Sequence, residues 1–172
     1  LITWRLAVLG AAGEDRIAAE AERDRSARGV QEAARCRAAQ PDPAAKEAAW
    51  RLVMTDRRLS NRVIVAAADG FWQPEQAALL ADYEQRYFDE IGLTAEWRSE
   101  QMLAAVALAA YPSQAVHPAT VAAAERWLAR PDQHPILRRE VLDATDDLRR
   151  ALAARSLVAP PSRSVGGSGD LA

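Results

Sequence analysis

The sequence predicts an all-α fold, and three observations carry that reading. Alanine dominates the apolar residues, while glycine numbers only 8 and aromatics make up 6% of the 172 residues. Alanine is the strongest intrinsic helix former, with Arg, Leu, Glu and Gln close behind. β-branched residues are sparse, and their one compact cluster is Val63-Ile64-Val65. Propensity alone makes that triplet a strand, but so short a strand has no partner, so it is read as helix. Lastly, apolar residues recur at three- and four-residue spacing between start and stop signals, which is the period of a helix.

The elements follow in order. Helices at 2–11, 14–26 and 29–39 come first, with a stop at Gly13 and the acidic pair Glu14-Asp15 at the positive dipole end of the second. A fourth at 43–54 opens on Asp42-Pro43, because proline lacks the N–H that is unpaired at a first helical position anyway. A fifth at 60–69 takes Ser60 as N-cap and stops at Gly70. The sixth, at 74–91, opens on Gln73-Pro74, aligns Leu80, Tyr83, Tyr87 and Ile91 on one face, and stops at Gly92. The seventh, at 95–110, takes Thr94 as N-cap and runs into Met102–Tyr111, which is apolar all round and reads as buried on most sides. The eighth, at 118–129, opens on His117-Pro118, carries Val121, Ala124 and Leu128 as a stripe, and stops at Pro131. The ninth, at 135–154, opens on His134-Pro135 and aligns Leu137, Val141, Ala144, Leu148 and Leu152.

Links of a few residues favour antiparallel neighbours, and nine short helices suit a stack of helix pairs better than a four-helix bundle. Trp50, Trp97 and Trp127 each fall in a predicted helix and read as core, with a faint hint of degenerate repeat units. Residues 156–172, with Pro160-Pro161 and Gly166-Gly167-Ser168-Gly169, read as a flexible tail after a domain of residues 1–155.

Chemistry is harder to find. The 22 basic and 24 acidic residues leave a net charge of -2, which argues against a nucleic-acid binder. In residues 14–37 six arginines face six carboxylates, the pattern of a solvated face. Lys46 is the one lysine in an otherwise arginine-based set, a bias that points to a GC-rich genome. The longest apolar run has ten residues, about half of a membrane span, and no leader opens the chain. With a single cysteine, Cys36, this points to a cytoplasmic protein, the thiol being either a packed hydrophobe or a reactive group beside Arg35 and Arg37. The start at Leu-Ile is what a piece of a longer chain would show.

His117 and His134 lack a partner ligand at i+3 or i+4, no nucleophile elbow or phosphate loop occurs in the folded part, and Asp146 to Arg150 has the spacing of a surface ion pair. No catalytic, cofactor or metal residue is therefore assigned. One turn is less routine: Gly70-Phe71-Trp72-Gln73-Pro74. Its aromatics either staple neighbouring helix pairs or form an apolar contact for another domain or a peptide, which makes Phe71, Trp72 and Gln73 the candidate contact residues.

Several segments occur in a telling order: Gly13–Glu20, Asp24–Gly29, Ala45–Trp50, Leu59-Ser60-Asn61, Gly70–Pro74, Tyr87-Phe88 and Tyr111-Pro112-Ser113. In this order the chain, over 1–155, resembles the C-terminal domain of bacterial aminopeptidase N. These are zinc-dependent gluzincin enzymes, and the region is also described as the endoplasmic-reticulum-aminopeptidase-like C-terminal domain. The resemblance implies a right-handed α-solenoid of antiparallel pairs, of armadillo or HEAT type. It further implies a lid that closes a peptide chamber over a separate catalytic domain of the same polypeptide, where zinc sits on a His-Glu-x-x-His helix. Neither that motif nor the family's amine-binding Gly-x-Met-x-Asn strand is present here. The expected function is the lid of a peptide-trimming enzyme, inactive alone; the alternative is a free-standing helical-repeat scaffold for a protein partner.

Overall fold

A computed structural model describes residues 2–158, and among them every regular element is helical. The α-helices are α1 (Ile2–Val8), α2 (Glu14–Arg23), α3 (Ala27–Ala39), α4 (Pro43–Thr55), α5 (Asn61–Phe71), α6 (Ala77–Glu90), α7 (Glu100–Ala109), α8 (Pro118–Leu128) and α9 (Pro135–Val158). Short 3-10 segments, Pro74–Gln76 and Ile91–Glu96, lead into and out of α6. The Val63-Ile64-Val65 triplet is helical, with Val63 and Ile64 buried.

Local chemistry sets most of the boundaries. Pro43 and Pro118 stand at the starts of α4 and α8, while Pro74 starts a 3-10 turn rather than α6 itself. Ser26 caps α3 by accepting from the Gly29 N–H at 3.2 Å, and Asp42 caps α4 by accepting from the Ala45 N–H at 2.7 Å. Three predicted boundaries move. Gly10, at φ 71°, ends α1, and Gly13 stands at the start of α2 instead of being a stop. Thr94 does not cap α7: its hydroxyl donates back to the Ile91 carbonyl at 2.7 Å inside a 3-10 turn. Ser99 takes the capping role by accepting from the Met102 N–H at 3.4 Å. Gly70 does not stop α5, which continues to Phe71.

Gly70 has a packing reason instead. A Cβ there would lie 2.3 Å from the Arg35 carbonyl oxygen, so α5 crosses α3 backbone on backbone at this residue. The α3–α5 contact is the most extensive between any two elements. Helix α9 also exceeds its expected end, running through Ser156 to Val158; the rest of the tail read from the sequence lies outside the described residues.

The helices form two layers. Helices α1, α3, α5, α7 and α9 lie side by side in that order, while α2, α4, α6 and α8 each pack against this row or against one another. Between the layers runs one large core, including Trp50, Phe71, Tyr87, Leu103, Tyr111, Trp127 and Leu137. A smaller cluster of Ala7, Ala12, Ile17, Ala33 and Cys36 fastens α1 and α2 to the other side of α3. The predicted stripes of α6 and α9 are buried down to Ile91 and Leu148. On α8 the buried residues are Thr120, Ala123, Ala124 and Trp127, with Val121 and Leu128 only partly covered. On α7 one side stays open: Leu108 is 59% exposed, because α5 and α9 flank the helix without enclosing it.

The charged surface pairs as its mixed signs suggest, though not always at the expected spacing. Arg37 holds Glu14 at 2.6 Å, Arg23 holds Glu20 at 2.8 Å, and Arg149 holds both Asp146 and Glu125. Arg150 pairs with Asp147 and not with Asp146, the i,i+3 partner having displaced the i,i+4 one.

Candidate functional site

The candidate turn Phe71-Trp72-Gln73 lies at the joint between the layers, and it is buried. Phe71 is 1% exposed, Trp72 8% and Gln73 5%. Phe71 packs between the rings of Trp50 and Trp72, each 5.2 Å away, and of Tyr83 at 5.0 Å. The three side chains therefore touch this domain's own helices and staple α4, α5 and α6 together.

Around that turn the C-terminal ends of four row helices converge on buried donors. Lys46, wholly buried on α4, donates from Nζ to the Ala38 and Phe71 carbonyls, both at 2.7 Å. These are the last turns of α3 and α5, where carbonyls lack partners within the helix. Gln76 Nε2 donates to Val8 O and Ala39 O, both at 2.9 Å, which closes α1 and α3. Gln73 Nε2 donates to Gly70 O at 2.9 Å, Trp72 Nε1 to Ala110 O at 2.8 Å, and the Tyr87 hydroxyl to Ala107 O at 2.7 Å. These four helices, α1, α3, α5 and α7, thus point the same way, with negative dipole ends side by side, and the Lys46 ammonium offsets two of them. Burial pushes the Lys46 ammonium down to about 7. As a neutral amine it would still have two N–H groups for its two carbonyls.

Beside the joint, α4 and α6 share a half-buried network. Arg86 donates to Glu47 at 2.7 Å and to Glu90 at 2.9 Å while lying over the Trp50 and Tyr83 rings. Trp50 Nε1 donates to Glu90 at 2.8 Å and the Tyr83 hydroxyl to Glu47 at 3.1 Å. Burial opposes the Arg86 charge, but the bonds to Glu47 and Glu90 outweigh it and drive its pKa up. The Arg86 hydrogen bond in turn holds Glu47 below its usual range. Each charge here is matched and each ring is filled, so the network fixes α4 to α6 and leaves no group free to move a proton.

The remaining titratable candidates are structural as well. His117 Nε2 lies 2.9 Å from Glu84 Oε2, and His134 Nδ1 accepts from the Ile136 N–H at 3.3 Å. Burial, then the charge of Glu32, pushes the buried Cys36 thiol up, which makes it a packed hydrophobe rather than a nucleophile. Among the described residues no three His, Cys, Asp or Glu side chains gather where one ion could sit, so these residues do not fit a zinc site. No helix among them is long and apolar enough to cross a membrane.

Sequence reading missed Lys46, Gln76 and Arg98 as buried polar residues. A single lysine in an arginine-based sequence was a usable signal, since a compact ammonium fits between two carbonyls where a planar guanidinium does not. Trp97 was read as helical core, yet it follows a 3-10 segment and is half-buried, with the guanidinium carbons of Arg57 and Arg98 5.1 and 4.5 Å from its ring.

The described residues form a two-layered helical domain in which most buried side-chain donors serve the ends of its own helices. The comparisons place it more closely: the family profile of the ERAP1-like C-terminal domain matches residues 2–150. The chain belongs to that family. It is also 40% identical over 152 residues to aminopeptidase N of Streptomyces lividans, covering 88% of this chain and 18% of the relative. The chain thus spans less than a fifth of the length of the curated relative it matches.

Proposed function

We propose that this chain serves as the C-terminal lid of a zinc-dependent aminopeptidase that removes N-terminal residues from peptides. The identity to aminopeptidase N carries this reading. The two helical layers support a curved, right-handed solenoid of paired helices, the shape suited to walling a chamber, with the domain ending near Arg155. In this role the catalytic domain is another part of the same polypeptide, in the cytoplasm, and it supplies the zinc ligands. Zinc there would supply an activated water for peptide hydrolysis. The residues of this chain shape and exclude: they bound the space a peptide occupies, and opening and closing of the lid governs admission and product release. Phe71, Trp72 and Gln73 contribute by holding the joint rigid, so that the surface around it keeps a fixed shape against the catalytic domain or a peptide.

The test begins with the gene upstream of Leu1, where a His-Glu-x-x-His segment is expected. The encoded protein, with and without this domain, is then assayed on an aminoacyl-anilide and on peptides of increasing length. Loss of length selection in the shortened form is the expected result. An unchanged length profile, or a start codon beside Leu1, would overturn the proposal, the latter in favour of a free-standing scaffold. The chain by itself should bind no stoichiometric zinc and cleave no anilide.

A further inference from the structure

Arg98 is a buried cation that, among the described residues, has neither an anion nor enough carbonyls for its donors. The Arg98 side chain is 9% exposed, and one of its amino groups donates to the Val53 carbonyl. Its Nε and Nη1 are buried without any hydrogen-bond partner, and no carboxylate among the described residues pairs with it. Burial lowers its pKa to about 10, so at neutral pH the guanidinium stays charged. A desolvated charge with unused donors is costly unless a counter-charge reaches it.

The surroundings favour such a counter-charge. Arg98 lines a pocket of about 130 Å³ with Asp56, Arg57, Asn61, Trp97 and Ser99. The pocket sits where the loop after α4 meets the N-terminal ends of α5 and α7, helices of 11 and 10 residues. Ser60 makes no side-chain capping bond, which leaves the first-turn N–H groups of α5 without that acceptor. Asp56 is the one carboxylate among the lining residues. It is engaged, with its Oδ1 accepting from the Arg58 and Leu59 N–H groups at 2.8 and 2.9 Å. Two guanidinium groups and two positive helix ends therefore lie around a pocket with one carboxylate among its lining residues.

We propose that this pocket binds a small oxyanion of phosphate size, held by the free N–H groups of Arg98, with Arg57 and the starts of α5 and α7 completing the site. Rotation about the Cδ–Nε bond, which exchanges the Val53 carbonyl for the ion, turns the Nε–H and Nη1 groups towards it, and the resulting bonds are charge-assisted. Phosphate fits the site because helix N-termini offer fixed N–H donors to anions. The inference is independent of the aminopeptidase reading, since it concerns only side chains of this domain.

Titration calorimetry of the full chain with inorganic phosphate, at ionic strength held constant with chloride, tests it. The expected result is a saturable one-site isotherm, with a rise in melting temperature that chloride does not reproduce. Arg98→Met should weaken phosphate binding by about tenfold or more. Should that variant fail to fold, Ser99→Asp decides, because aspartate caps a helix as well as serine does while placing a carboxylate beside Arg98. Ser99→Asp should stay folded and lose the phosphate isotherm. Absence of a saturable isotherm for the parent chain, or an unchanged one in Ser99→Asp, would overturn the proposal.

Discussion

Lys46 gives the clearest consequence at the scale of single residues. Its ammonium is held near 7 in the folded state by burial, whereas an unfolded lysine keeps its proton to about 10.4. Between those values the unfolded chain binds more protons, so stability rises with pH through this window. Below pH 7 both states carry the charge and the folded one bears the full cost of burying it. Urea midpoints measured from pH 6 to pH 9 should therefore climb for the parent chain and stay flatter for Lys46→Met. That variant should also be the weaker at high pH, because the Ala38 and Phe71 carbonyls lose their donor at about 1–3 kcal/mol each. Trp50 makes the contrast with an apolar residue. It is almost wholly buried, touches three other rings and donates to Glu90, so Trp50→Ala should cost about 3–5 kcal/mol in chemical denaturation. The burial of Trp50 was legible from its place in a helix, but the partner of its N–H was not, since Glu90 lies forty residues away.

At the scale of elements, two of the three glycines read as stops, Gly70 and Gly92, separate by what surrounds them. Gly70 presses on the α3 backbone, so Gly70→Ala should force α3 and α5 apart and cost about 1–3 kcal/mol, as overpacking does. Gly92 meets only the tip of Gln133 at 3.7 Å, and Gly92→Ala should be neutral or slightly stabilising. Thermal melts of the two variants side by side check both signs, and equal effects would contradict the close crossing. The same comparison shows where sequence reading of ends succeeds. Proline and aspartate at 42–43 act on their own helix, so α4 begins where it was predicted. Thr94 and Ser99 both suit a cap, and the choice between them was made by the 3-10 turn that spends the Thr94 hydroxyl on Ile91.

For the whole molecule, two cores imply two levels of stability. The cluster that holds α1 and α2 has five buried residues, against a large continuous core for the rest of the described residues. Ile17→Ala should accelerate amide exchange in α1 and α2 while leaving that of α5 and α7 slow. Val141→Ala, in the main core, should raise exchange throughout. Uniform acceleration by Ile17→Ala, read by hydrogen exchange with mass spectrometry, would show that the two clusters unfold as one.

Helix content, the order of elements and the apolar faces of α6 and α9 were set by local pattern. Propensity and period act between residues three or four apart, and a single sequence displays them directly. What only the folded arrangement decided were meetings across tens of residues: the α3–α5 crossing at Gly70, the carbonyls gathered on Lys46 and Gln76, and the burial of Arg98 without an anion. Those depend on which helix ends converge, and convergence is a property of packing between layers that no spacing along the chain encodes.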